Sequence, residues 1–79
     1  MQPQDIQKIL ASHLPDSQIS VEGDDGQHFA AVIVSPAFRG KSRVEQQQMI
    51  YTALGSHITS GNIHALSLKT YTPEEYQQR

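Results

Sequence analysis

The chain has no cysteine and no tryptophan. It therefore has no disulfide, no thiol nucleophile and no thiolate to offer a metal. Only 6% of residues are aromatic and 37% hydrophobic, so 79 residues can build one modest core, a single domain over residues 1–79. No apolar run approaches the ~18 residues needed to span a bilayer. Met1-Gln2-Pro3-Gln4-Asp5 lacks the basic-then-apolar order of a secretory leader. A cytoplasmic protein without membrane association is expected. Positive charge is also scarce: six Lys and Arg against eight Asp and Glu leave a net charge of −2. That balance argues against broad attraction to nucleic acid or anionic lipid, although it leaves room for a local basic patch.

Against these absences the patterning is clear. From Pro3 to Leu14, Ile6, Ile9, Leu10, His13 and Leu14 recur at the spacing of one helical stripe, and Leu14-Pro15 ends it. Gln18 to Glu22 and Gln27 to Ser35 read as two strands joined by the Gly23-Asp24-Asp25-Gly26 turn, an antiparallel hairpin with His28 just past the turn. Ser42-Arg43-Val44-Glu45 is a capping box that opens a long helix. Its inner face is expected along Val44, Gln47/Gln48, Tyr51, Leu54/Gly55 and Ile58, widened by Met49, Ile50 and Ala53.

The stretch Ile63 to Pro73 reads as a third strand with a histidine at its start. Asn62, His64, Leu66, Leu68 and Thr70 alternate onto one face, with Ile63, Ala65, Ser67, Lys69 and Tyr71 on the other. Thr72-Pro73-Glu74-Glu75 then starts a short terminal helix. A helix between strands two and three permits a parallel crossover. The expected fold is α+β, ordered αββαβ with a short C-terminal helix, its three-stranded mixed sheet carrying the helices on one face.

Chemistry-bearing residues are few. His13 and His57 fall near helix C-termini, where histidine favours the dipole. Ser42 and Glu45 serve as a cap, Glu22 as a strand-edge charge, and neither these nor Ser67 makes a persuasive catalytic set in so small a domain. No enzymatic activity is expected.

Phe38, Gly40, Lys41, Ser42, Arg43, Val44, Gln47 and Tyr51, followed by Ile63-His64-Ala65-Leu66-Ser67-Leu68-Lys69-Thr70-Tyr71-Thr72-Pro73, resemble the BolA-like proteins. The loop from Gly23 to Phe29 looks like that family's loop between its first two strands. Gln46-Gln47-Gln48, where the founding branch tends to carry Arg-His-Arg, makes the chain more similar to the bacterial IbaG branch. The resemblance implies a fold similar to class II KH domains. It also implies a monothiol glutaredoxin as partner and a shared [2Fe–2S] cluster, with His64 and His28 as this chain's ligands. The thiolates would come from glutaredoxin and glutathione, and no cluster is expected on the isolated protein, a monomer or weak homodimer. A docking face for the partner is expected around Phe38, Arg39, Gly40, Lys41, Arg43, Lys69 and Tyr71.

The alternative is a KH-like nucleic-acid-binding regulator of transcription in stress response. Gly23-Asp24-Asp25-Gly26 matches the GXXG spelling of a KH backbone clamp, but two aspartates repel phosphate. Arg39, Lys41 and Arg43 cluster at the start of the long helix, so any DNA binding should be weak and salt-dependent.

Overall fold

Local hydrogen bonding sets where each helix begins. The structure, a computed structural model, describes residues 1–78. Helix α1 (Pro3–His13) starts at proline, with the Gln2 N–H donating to Asp5 Oδ2 at 2.9 Å. Helix α2 (Arg43–Thr59) opens on the expected box: the Ser42 N–H donates to Glu45 Oε1 at 2.8 Å, and Ser42 Oγ accepts from the Glu45 N–H at 3.2 Å. Thr72 and Glu75 repeat that exchange at 2.8 and 3.1 Å to start α3 (Pro73–Gln78).

Strands β1 (Gln18–Glu22) and β2 (His28–Val34) pair antiparallel, and β2 pairs parallel with β3 (Ala65–Tyr71). The sheet order is β1-β2-β3, the α+β architecture expected of the sequence. Phe29, Ala31 and Ile33 alternate into a core shared with Ile6 and Leu10 of α1 and Ile50 and Leu54 of α2. Leu66 and Leu68 pack against that core, and Thr70 of the same alternation is fully buried. His28, Ala30, Ala65, Ser67 and Lys69, on the opposite alternation, are exposed.

Two readings of the sequence are corrected. The buried face of α2 runs through Gln46, Ile50 and Leu54, whereas Val44 is 64% and Tyr51 43% exposed. A polar residue turned inward because the tertiary structure supplies all its partners. The Gln46 side-chain amide donates to the carbonyls of Phe38 (3.3 Å) and Lys41 (3.0 Å), and its oxygen accepts from the Thr70 hydroxyl at 2.8 Å. Thus Gln46 ties the Pro36–Phe38 turn and β3 to one side of α2, and its burial costs little because its bonds are made. The second correction concerns residues 61–64, which precede the strand. Gly61 turns the chain at φ 86°, the Ile63 N–H donates to the His57 carbonyl at 3.2 Å, and Ile63 drops into the core while Asn62 and His64 stay exposed.

Gln46→Leu keeps the volume but takes a donor from the Phe38 and Lys41 carbonyls and leaves the buried Thr70 O–H without its acceptor. We predict a loss of about 1–3 kcal/mol in urea unfolding. An unchanged midpoint would show that these bonds contribute nothing to stability.

Candidate metal centre

Parallel register brings the two histidines together. His28 is the first residue of β2 and stands opposite Ala65, the first residue of β3. The residue before Ala65 is His64. The Gln27 carbonyl accepts from both the His64 N–H (2.9 Å) and the Ala65 N–H (3.2 Å), which pins the start of β3 to the end of the hairpin turn. The two imidazoles are edge-to-face, with ring centroids 6.3 Å apart and an interplanar angle of 86°. Both side chains lie at the surface.

The turn below them is tightly built. Gly26 takes φ 74°, a region that suits glycine. A Cβ on Gly23 would lie 2.7 Å from both the His28 carbonyl oxygen and Phe29 Cδ1, so only glycine lets the two strands close here. Asp25 then fills the turn with its carboxylate. Its Oδ1 accepts from the Gln27 N–H at 2.9 Å and the His28 N–H at 2.8 Å, and its Oδ2 lies 2.5 Å from His28 Nδ1. These contacts hold the Asp25 carboxyl well below the usual carboxylate range, the His28 backbone N–H contributing most, then that of Gln27, then the His28 ring. The sequence showed Asp25 only as a turn former. Its position three residues before a histidine is the one signal that could have marked it.

Among the described residues, no group of three or more His, Asp or Glu side chains could hold a metal ion alone. Two imidazoles can supply only part of a coordination sphere.

The residues expected to dock a partner lie elsewhere. Lys69 and Tyr71 belong to the far half of β3, and Tyr71 lies roughly 20 Å along the strand from the histidines by its rise per residue. Phe38 is fully buried in the core, so its side chain is not part of any docking face. Arg39 makes a two-point pair with Glu74 (Nε to Oε1 2.9 Å, Nη2 to Oε2 2.5 Å). That pair pushes Arg39 up and holds Glu74 down from their ordinary values. Arg43 donates to the Thr70 carbonyl, lies 3.8 Å from Glu75 and sits 5.9 Å from the Tyr71 ring centroid. Tyr71 also meets Tyr76 of α3 edge-on at 5.6 Å. Two of the three basic residues thus face carboxylates of α3, which weakens the case for a phosphate-binding patch. Gly40 turns the connector at φ 78°, and Lys41 is exposed beside it.

A three-stranded mixed sheet with two helices on its core face and two exposed imidazoles at one end defines a small α+β protein. Comparison with known proteins gives its class a name. The model of the BolA-like protein family matches residues 1–75, and the chain belongs to that family. It is 41% identical over 76 residues to the acid stress protein IbaG of Escherichia coli K12, covering 96% of this chain and 89% of that protein. A BolA protein homologue from Coxiella burnetii superimposes with a TM-score of 0.84 at 46% identity, over 98% of this chain and 97% of that one. The BolA domain of SufE1 from Arabidopsis thaliana gives a TM-score of 0.83 at 39% identity, covering 92% and 93%.

The lowered Asp25 carboxyl has a testable consequence. A carboxyl depressed by folding contributes stability that is complete above its ordinary value and is lost as pH falls through the lowered one. By NMR, the Gln27 and His28 amide protons should keep their hydrogen-bonded shifts as pH passes ~3.9, the ordinary aspartate value, and move only below it. Asp25→Asn should remove that low-pH step. Amides that move in the wild type near the ordinary aspartate value would contradict this.

Proposed function

We propose that this protein associates with a monothiol glutaredoxin and provides the imidazole half of a shared [2Fe–2S] cluster, with His64 and His28 as its ligands. The observation that carries the reading is the pair of surface imidazoles at 6.3 Å in a chain without cysteine. The residues fit half of such a group. His28 has its Nδ1 engaged by Asp25, leaving Nε2 free, and the His64 ring makes no hydrogen bond among the described residues. Two histidines replacing two thiolates on one iron is established cluster chemistry and raises the reduction potential. The missing thiolates then belong to the partner, which is why a glutaredoxin cysteine and glutathione complement this chain. Membership of the BolA-like family and similarity to the BolA domain of a SufE protein support a role in iron–sulfur trafficking or iron-dependent regulation.

In the shared site the chain's own tasks are limited. The hairpin and β3 hold two imidazoles side by side, the Gln27 carbonyl fixes the backbone of His64, and surface exposure leaves room for a partner's ligands. The bound cluster supplies electron storage and a transferable unit of iron and sulfide. Binding and presentation, rather than catalysis, is the function.

The test is visible absorption and CD of the protein mixed with a glutathione-loaded, cluster-bearing monothiol glutaredoxin. The mixture should give a new cluster spectrum. His64→Ala should remove it while leaving association intact, and His28→Ala should weaken or remove it. Because a protonated imidazole cannot ligate, the signal should also fall on acidification. A mixed spectrum indifferent to both substitutions would refute the ligand assignment.

A further inference from the structure

We propose that Asp25 is the positioning residue of the histidine pair: its carboxylate fixes the His28 ring with a proton on Nδ1, so that Nε2 is the atom presented to iron. This deepens the reading above and rests on it for the identity of the ligand. An ionised carboxylate only accepts hydrogen bonds. With Asp25 Oδ2 at 2.5 Å from His28 Nδ1, the proton between them belongs to Nδ1. A neutral imidazole then carries its lone pair on Nε2, which has no hydrogen-bond partner among the described residues.

The same carboxylate organises the rest of the pair through the backbone. Its Oδ1 holds the Gln27 and His28 N–H groups, and the Gln27 carbonyl in turn holds the N–H groups of His64 and Ala65. One side chain is thereby connected to the ring of one candidate ligand and the backbone of the other. The two rings are not equivalent. His28 is held from behind, whereas the His64 ring makes no hydrogen bond and can turn to meet an incoming ligand set. A carboxylate behind a ligating histidine fixes its tautomer, orients its ring and raises its basicity, and losing it typically costs about 10–100-fold in metal affinity.

Asp25 could instead serve only to close the turn, and Asp25→Asn separates the two roles. Asparagine keeps an oxygen for the Gln27 and His28 N–H groups, but its other side-chain atom is an N–H donor. A donor facing Nδ1 forces that nitrogen to accept, which moves the proton of the neutral ring to Nε2. Long-range proton–nitrogen NMR on the metal-free, nitrogen-15-labelled protein, at a pH where the spectra show neutral rings, should show Nδ1–H for His28 in the wild type and Nε2–H in Asp25→Asn. The Gln27 and His28 amide signals should show the turn intact. In the mixed complex with cluster-bearing monothiol glutaredoxin, Asp25→Asn should lose the cluster to a competing chelator at about 10–100-fold lower chelator concentration.

A wild-type His28 protonated on Nε2, the same tautomer in both proteins, or equal cluster retention would overturn the proposal. If the wild type forms no mixed cluster at all, the functional reading fails. The tautomer measurement, made without metal, then decides by itself whether Asp25 sets the ring.

Discussion

The parallel pairing of β2 with β3 is the constraint on which the candidate site depends. Antiparallel neighbours would place the start of one strand beside the end of the other. Parallel strands start together, and the register that sets His28 opposite Ala65 puts the two histidines at the same end of the sheet. That pairing requires a crossover, which α2 supplies, and α2 in turn is fixed by the internal bonds of Gln46 to the Pro36–Phe38 turn and to Thr70. Core packing, crossover and histidine placement are therefore one problem. A slip of one residue in β3 would carry Leu66, Leu68 and Thr70 out of the core, so the apolar alternation that stabilises the fold also guards the spacing of the histidines.

Much of this was legible in the residues themselves, because it follows from local chemistry. The two capping boxes, the turn between β1 and β2 and the alternation of Leu66, Leu68 and Thr70 each depend on neighbours in sequence, and each was found where expected. What was not legible depends on distant groups. Gln46 looks like a surface residue until Phe38, Lys41 and Thr70 are folded against it, so Val44 and Tyr51 were placed inward in its stead. Phe38 reads as an exposed connector aromatic but fills the core. The closeness of His28 and His64 has no signature in spacing, since the whole of α2 lies between them. Family resemblance named the pair, and the parallel register places the two rings side by side. Asp25 was visible only as a turn former, since its bond to an imidazole exists only once the turn is closed.

Charge is arranged in two separate districts. At one end of β3, Asp25 places negative charge behind His28, and among the described residues no Lys or Arg pairs with it. At the other, Arg39 and Arg43 face Glu74 and Glu75 across the connector and α3. Exposed pairs of this kind add little stability individually, but they set which surface a charged partner meets. The end of the sheet that carries the histidines is also the end without the arginine–glutamate clasp. Under the proposed function a partner would meet the histidine end, while Arg39 and Arg43 of the basic connector are turned to the carboxylates of α3.

The measurement that tests the central claim most directly is pulsed EPR of the reduced mixed complex, with the histidine rings of this chain alone labelled with nitrogen-15. The account predicts strong coupling from two ligating ring nitrogens, one lost in His28→Ala and the other in His64→Ala. A cluster whose spectrum carries no ring-nitrogen coupling from this chain would be held by the partner's thiolates alone, and would contradict the assignment of the histidine pair as ligands.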